Sequence, residues 1–291
     1  MSGVIQKTAN KIWNSSSCKY CKKPIPFYKN QHKECNQKYI NDKAKIKAII
    51  LSAYHFNKTD DVKEKVDNIH YASSVGEVEK NNIILSAWEE AVFYALDDKI
   101  LTDEEENTLG EILDIFDFDY TSNKLESIKG YRRYREALAL KSVMQGEIPE
   151  LKINGDLPFN FQNNEKLISI INYVQYYESK TRIKYVGGSS GVNIKIAKGV
   201  YYKTSSFKGH RVESEEIVFI DNGSIAITTK HIYFGGNQKN FRIKLEKIVS
   251  FTPYEDGIGI QKDGITAKPQ LFKVEDGWFI YNLLRNISNL H

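Results

Sequence analysis

Three cysteines, six prolines and two methionines are all that this 291-residue chain holds of those residue types. The cysteines sit at 18, 21 and 35, so no disulfide framework can staple the remaining 256 residues. No thiol lies elsewhere to act as a nucleophile. No apolar run approaches the ~20 residues that span a bilayer, and Met1–Lys7 is not followed by the apolar stretch of a secretory signal. A P-loop, an H-E-x-x-H helix and a dinucleotide G-x-G-x-x-G are all missing. Gly187-Gly188-Ser189-Ser190-Gly191 matches G-x-S-x-G, but strand patterns flank it on both sides. A nucleophile elbow needs a helix after the serine, so the segment reads as a hairpin turn. Reduced cysteines and the missing signal place the expected compartment in the cytoplasm.

The three thiols belong to a pattern. Cys18-x-x-Cys21 is followed, after ten residues, by His32-x-x-Cys35. This is a four-ligand Cys3His set with the pair spacing of a structural zinc site. The cofactor expected is therefore Zn2+. Cys18-Lys19-Tyr20-Cys21 can turn both sulfurs to one side, while His32 and Cys35, at i and i+3, share the first turn of a helix. Four protein ligands leave no open position for a catalytic water, so the expected role is structural. A knuckle followed by a ligand pair at a helix start resembles treble-clef zinc modules over about 25 residues.

Charge is unevenly spread although the net value is only +4. Residues 1–50 carry eleven lysines against Glu34 and Asp42, whereas residues 86–126 carry thirteen acids against Lys99 and Lys124. Two readings stay open: oppositely charged solvated faces, or a basic end that meets a polyanion or an acidic partner, this chain's own acidic segment included.

Residues 3–13 read as a short amphipathic helix, and a second helical region opens at Asp42 and breaks near Asn57–Asp61. Ile84, Trp88, Ala91, Val92 and Ala95 recur at three and four, giving one buried helix face. Thr102 with Glu105 three residues later is a capping box, starting a helix with Leu109, Ile112, Leu113 and Phe116 on one side. Tyr131–Met144 reads as a further helix. The turn Asp97-Asp98-Lys99-Ile100-Leu101-Thr102-Asp103-Glu104-Glu105 between two helices resembles the tellurite-resistance TerB-like helical domain. That resemblance implies a divalent-cation site at Asp97, Asp98, Asp103 and Glu104; capping alone accounts for the same residues.

Gly146–Asn164 reads as a connection and Glu165–Glu178 as a helix with Leu167, Ile170, Ile171, Val174 and Tyr177 on one face. Beyond Lys180 the pattern turns to period two, in short strands punctuated by turn residues such as Asp221-Asn222-Gly223. A terminal helix, Gly277–Asn289, carries Phe279, Leu283 and Ile287 on one stripe. Gly223–Phe234, then Phe241–Ile243, Lys247–Phe251 and Gly277-Trp278-Phe279, resemble the strands and closing helix of bacterial PH and GRAM-like domains. The resemblance implies a small barrel capped by a helix and, more weakly, lipid or membrane contact. Lys203, Lys208, His210 and Arg211 are the candidate anion or phosphate patch.

The expected fold class is thus α+β multidomain: a zinc module (1–40), a TerB-like helical domain (41–145), a linker and connecting helix (146–180) and a PH/GRAM-like β domain (181–291). The function this supports is a non-enzymatic adaptor, with a protein as the expected partner, in bacterial stress response or phage defence. Two alternatives remain. One is nucleic-acid binding through residues 1–50, with Tyr20, Phe27, Tyr28 and Tyr39 interleaved among the lysines. The other is metal-dependent hydrolysis or nuclease action at the acidic turn.

Overall fold

The computed structural model describes residues 15–120, 122–151, 157–197, 200–264 and 267–290; the side chains of 15, 123, 183–197, 200–214 and 289 are not described. The expected helix at 3–13 lies outside these residues. The chain is mixed α+β and divides into two compact units, the first running to Lys141 and the second taking Ser142–Leu151 and everything from Gly155. Among the described residues there are seven α-helices and a seven-stranded antiparallel sheet.

The first unit opens with a two-stranded ribbon, β1 (Ser15–Ser17) and β2 (Pro24–Pro26), paired antiparallel. Prolines at both ends of β2 are tolerated because a two-stranded ribbon leaves their missing N–H groups facing outward. Helices follow as α1 (Lys33–His55), α2 (Val62–Ala72), α3 (Glu77–Ala95), α4 (Asp103–Ile115), α5 (Asn123–Ser127) and α6 (Lys129–Met144). The break after α1 is made by Asn57 and Asp61, both at positive φ (47° and 59°), a conformation these two residue types enter more readily than most.

The periodicity in α3 produces what it predicts: Ile84, Trp88, Ala91, Val92 and Ala95 are all buried. Leu109, Ile112 and Leu113 of α4 and Ile46, Ile50 and Ala53 of α1 close over the same core. Trp88 is fully buried, donates its Nε1–H to the Leu109 carbonyl at 2.8 Å and meets Tyr134 edge-on at 5.5 Å. The Thr102–Glu105 capping box forms as expected and starts α4.

The strands of the second unit are β3 (Leu167–Ala197), β4 (Val200–Thr228), β5 (His231–Gly236), β6 (Asn240–Lys244), β7 (Ile248–Tyr254), β8 (Gly257–Lys262) and β9 (Gln270–Lys273). They form one sheet in the order β6-β5-β4-β3-β9-β8-β7, and every pairing among the described residues is antiparallel. The sheet is open rather than closed into a barrel, because β6 and β7 each have one neighbour. The terminal helix α7 (Gly277–Asn286) packs against β7 and β8, continuing as a 3-10 turn over Ile287–Asn289. Phe279, Leu283 and Ile287 are buried as the stripe predicts. Gly277 is required there: a Cβ would stand 1.9 Å from the Tyr254 carbonyl oxygen and 2.4 Å from that of Gly257.

Three further sequence expectations fail in this unit, each for a physical reason. Glu165–Glu178 is not a helix, since Leu167 onward is strand β3. Its side chains Ile168, Ile170, Ile171, Tyr173, Val174, Tyr176 and Tyr177 are β-branched or aromatic, which favours a pleated surface. Register shifts between Leu167/Ser169 and Ile171/Val174, with Tyr173 at φ 60°, advance the buried positions to 168, 171, 174 and 176. Bulges thereby give a strand the three-residue spacing of a helix. Gly187–Gly191 is not a turn either; it lies inside β3, paired with Gly209–Ser205 of β4. Finally, Asp221-Asn222-Gly223 continues β4 instead of breaking it. The buried Asp221 accepts from the N–H groups of Gln238 (2.6 Å) and Lys239 (2.9 Å), fixing the β5–β6 loop.

Two stability predictions follow from these contacts. Trp88→Ala is expected to destabilise the helical unit by about 3–5 kcal/mol through cavity formation, read as a lowered denaturant midpoint; a loss under about 1 kcal/mol would contradict the packing. In the sheet unit, burial of Glu165 opposes its ionisation, but bonds from Tyr233, Thr228, the Gln162 N–H and His231 outweigh it and lower its pKa to about 2. A depressed carboxyl contributes stability that is present above its unfolded value near 4.5 and disappears as pH falls toward 2. Glu165→Gln is expected to flatten the melting temperature of this unit across that acid range, and an unaltered pH profile would contradict it.

Candidate metal centre

The ribbon and α1 bring four ligands to one point. Cys18 directly follows β1 and is fully buried; its N–H donates to the Lys23 carbonyl and its carbonyl accepts from the Lys22 N–H, both at 2.9 Å. These bonds close the Cys18–Cys21 turn. Lys22 takes φ 60° to permit it, with its Nζ on the Lys19 carbonyl at 3.0 Å. Residues 26–30 return to the knuckle through Lys19 N–H to Asn30 O (3.0 Å) and Ser16 Oγ to Lys29 O (3.1 Å). His32 then stands at the N-cap of α1 with extended backbone, and Cys35 lies in the first helical turn.

The ligand atoms of Cys18, Cys21, His32 and Cys35 all lie within 4.8 Å of one another. His32 faces the cluster through Nδ1, 3.4 Å from Cys21 Sγ and 3.8 Å from Cys35 Sγ. A tetrahedron with Zn–S near 2.3 Å and Zn–N near 2.0 Å has N···S edges of about 3.5 Å, so these separations suit a four-coordinate ion. The three cysteines are free of disulfides. Only Cys18 and Ile25 are buried among the described side chains of 16–41, so almost no apolar core holds the ribbon together.

The electrostatics are those of crowded thiols. Burial of Cys18 opposes ionisation, yet backbone N–H groups of Cys21, His32 and Tyr20 outweigh it and lower its pKa to about 6. Cys35 is pushed up to about 11, first by its hydrogen bond with Cys21, then by burial and by the neighbouring sulfur charges. A cation at the centre would reverse that repulsion, because thiolate is the ligand form.

The head is tied to the helical core by aromatic and ionic contacts. Tyr20 and Tyr39 rings lie 4.6 Å apart, and the Tyr39 hydroxyl donates to Glu79 of α3. That bond is the main reason the Tyr39 hydroxyl is pushed up to about 12. Lys43 pairs with Glu79 at 2.8 Å and Lys47 with Glu90 at 2.6 Å.

The other sequence candidates are placed differently. Asp98 caps its own turn by accepting from the Ile100 N–H at 2.9 Å, Asp103 pairs with Lys141, and Glu104 accepts from Asn57 at 3.3 Å; Asp97 is exposed. Among the described residues, the Cys3His group alone brings three or more such ligands within reach of one ion. The backbones of Lys203, Lys208, His210 and Arg211 lie in β4, but their side chains are outside the described residues.

The sheet unit also holds a buried polar group that no sequence motif marks. His231 Nδ1 lies 2.9 Å from Glu165 Oε2, Thr228 Oγ1 donates to the same carboxylate at 2.7 Å, and the Tyr233 hydroxyl donates to its other oxygen. Sixty-six residues separate His231 from Glu165. Only the strand pairing brings them together, and no local motif announces it.

The chain matches no protein-family model, no curated protein and no solved structure. No helix among the described residues is long and apolar enough to cross a membrane.

Metal uptake at pH 7.5 is expected to release protons, because Cys35 must shed the proton it holds up to about pH 11. Affinity should therefore weaken as pH falls. Titration calorimetry in two buffers of different ionisation enthalpy checks this, and identical heats in both would contradict it.

Proposed function

We propose that this chain is a zinc-containing, non-enzymatic interaction protein whose metal is structural. The observation that carries the reading is the convergence of Cys18, Cys21, His32 and Cys35 within 4.8 Å at the join between the ribbon and α1. Zn2+ held by these four residues has no vacant position for substrate, and it replaces the apolar core that the ribbon lacks. Its work is to hold the loop of residues 18–32 in one shape against α1, where a partner can meet it.

The scaffold beneath it is read as a TerB-like helical domain, and the open sheet with its packed terminal helix as a PH/GRAM-like module. Both are carried by the motifs alone. Adaptor function agrees with the acidic turn, whose Asp98, Asp103 and Glu104 are occupied in capping, ion pairing and hydrogen bonding.

The purified chain is expected to carry one zinc per molecule by elemental analysis. Cys35→Ser is expected to lose the metal and the amide protection of residues 18–32 in hydrogen exchange, while the helices around Trp88 stay protected. A variant that keeps a protected head without zinc would overturn the reading.

A further inference from the structure

The lysines of the N-terminal region divide into two populations. Those beyond the first turn of α1 are used internally: Lys43 pairs with Glu79, Lys47 with Glu90, Lys45 with Asp42, and Lys38 donates to the Ala72 carbonyl at 2.8 Å. Those nearer the ligand set reach no acid among the described residues; Lys22 Nζ bonds only its neighbouring Lys19 carbonyl, at 3.0 Å. Lys22, Lys23, Lys29 and Lys33 are exposed and form no ion pair among the described residues, and Glu34 is the only acid in the sequence between residues 15 and 41. Lys19 lies over the Tyr20 ring at 4.7 Å and acts on Glu79 only from longer range. A Zn2+ ion with three thiolates carries one net negative charge, which leaves this small head strongly cationic.

Two aromatic rings stand in the same loop. Phe27 and Tyr28 are 68% and 71% exposed, meet edge to face at 5.7 Å, and Lys29 Nζ lies 5.7 Å over the Tyr28 ring. Water-exposed aromatics side by side are costly unless a partner covers them. Their loop is already rigid: Lys29 N–H closes a turn on the Pro26 carbonyl at 2.9 Å, and Ser16 Oγ bonds both Pro26 and Lys29 carbonyls. By contrast Tyr20 and Tyr39 stack on each other, half-buried, and are not available.

We infer that the head binds single-stranded nucleic acid. Lys22, Lys23, Lys29 and Lys33 meet backbone phosphates, and Phe27 and Tyr28 stack on unpaired bases. Phosphate contact supplies affinity without sequence choice. Flat rings in a fixed loop take the exposed face of a base, which a duplex keeps stacked inside. A purely acidic polypeptide such as polyglutamate would satisfy the lysines but offers no ring face to Phe27 and Tyr28. This inference rests on the proposed zinc-held head.

The test uses the full zinc-loaded chain and a fluorescent oligothymidine of about a dozen nucleotides, followed by anisotropy across salt concentrations. Four phosphate contacts predict that log Kd rises with log salt with a slope of about 3, from roughly 0.7 per contact on a single strand. Changing Lys23 and Lys29 to Gln should weaken binding and remove about 1.4 from that slope. Phe27→Ala with Tyr28→Ala should weaken binding at least about tenfold while leaving the slope unchanged. Zinc content is measured on every sample. Zinc-loaded protein that ignores the oligonucleotide, binds a duplex or polyglutamate equally well, or keeps its affinity without both rings overturns the inference and leaves the zinc reading standing. Protein that is folded in the head without zinc overturns the zinc reading itself.

Discussion

The meeting of three sulfurs and one imidazole nitrogen at the start of a 23-residue helix is the constraint on which the N-terminal half depends. Helix α1 has two roles. Its first turn supplies Cys35, with His32 as its N-cap, and its later turns bury Ile46, Ile50 and Ala53 in the helical core. The ribbon has no such core of its own. What orients it is the ligand set, with the Tyr20–Tyr39 ring contact and the Tyr39–Glu79 bond as supports. Fixing the ligands therefore fixes the loop relative to helices α1 and α3.

The same helix explains how the charge asymmetry is resolved. Lys43 and Lys47 of α1 find acids on α3, so part of the basic end meets the chain's own acids, including Glu90 of the acidic stretch. Half-exposed pairs of this kind contribute only about 0–1 kcal/mol each, so they orient more than they stabilise. Lys22, Lys23, Lys29 and Lys33 reach none of those acids. Positive charge is thus concentrated where the chain buries the least apolar surface. That combination is what makes the head, rather than the helical unit, the surface worth probing.

How much could be read from the residues alone depended on the range of the interaction. Metal ligands, capping boxes and helix faces are short-range patterns: Cys18, Cys21, His32, Cys35, Thr102 with Glu105, and the Trp88 face all stand where spacing places them. Strand β3 was illegible for a definite reason. Its bulges shift the alternation so that residues 168, 171 and 174 share a side, a spacing that belongs to helices as well. Asp221 looked like a turn former because Asp-Asn-Gly usually is one; its carboxylate instead serves a loop seventeen residues away. The Glu165–His231 pair and the open strand order are long-range consequences of pairing, and nothing local encodes them. The lysine partition belongs to the same class: it becomes visible only when α1 and α3 lie side by side.

X-ray absorption at the zinc edge tests the central claim most directly, because it counts the atoms around the ion. Three sulfur neighbours near 2.3 Å and one nitrogen near 2.0 Å are the result this account predicts. A shell made only of nitrogen and oxygen, or an edge with no zinc signal from folded protein, would contradict it.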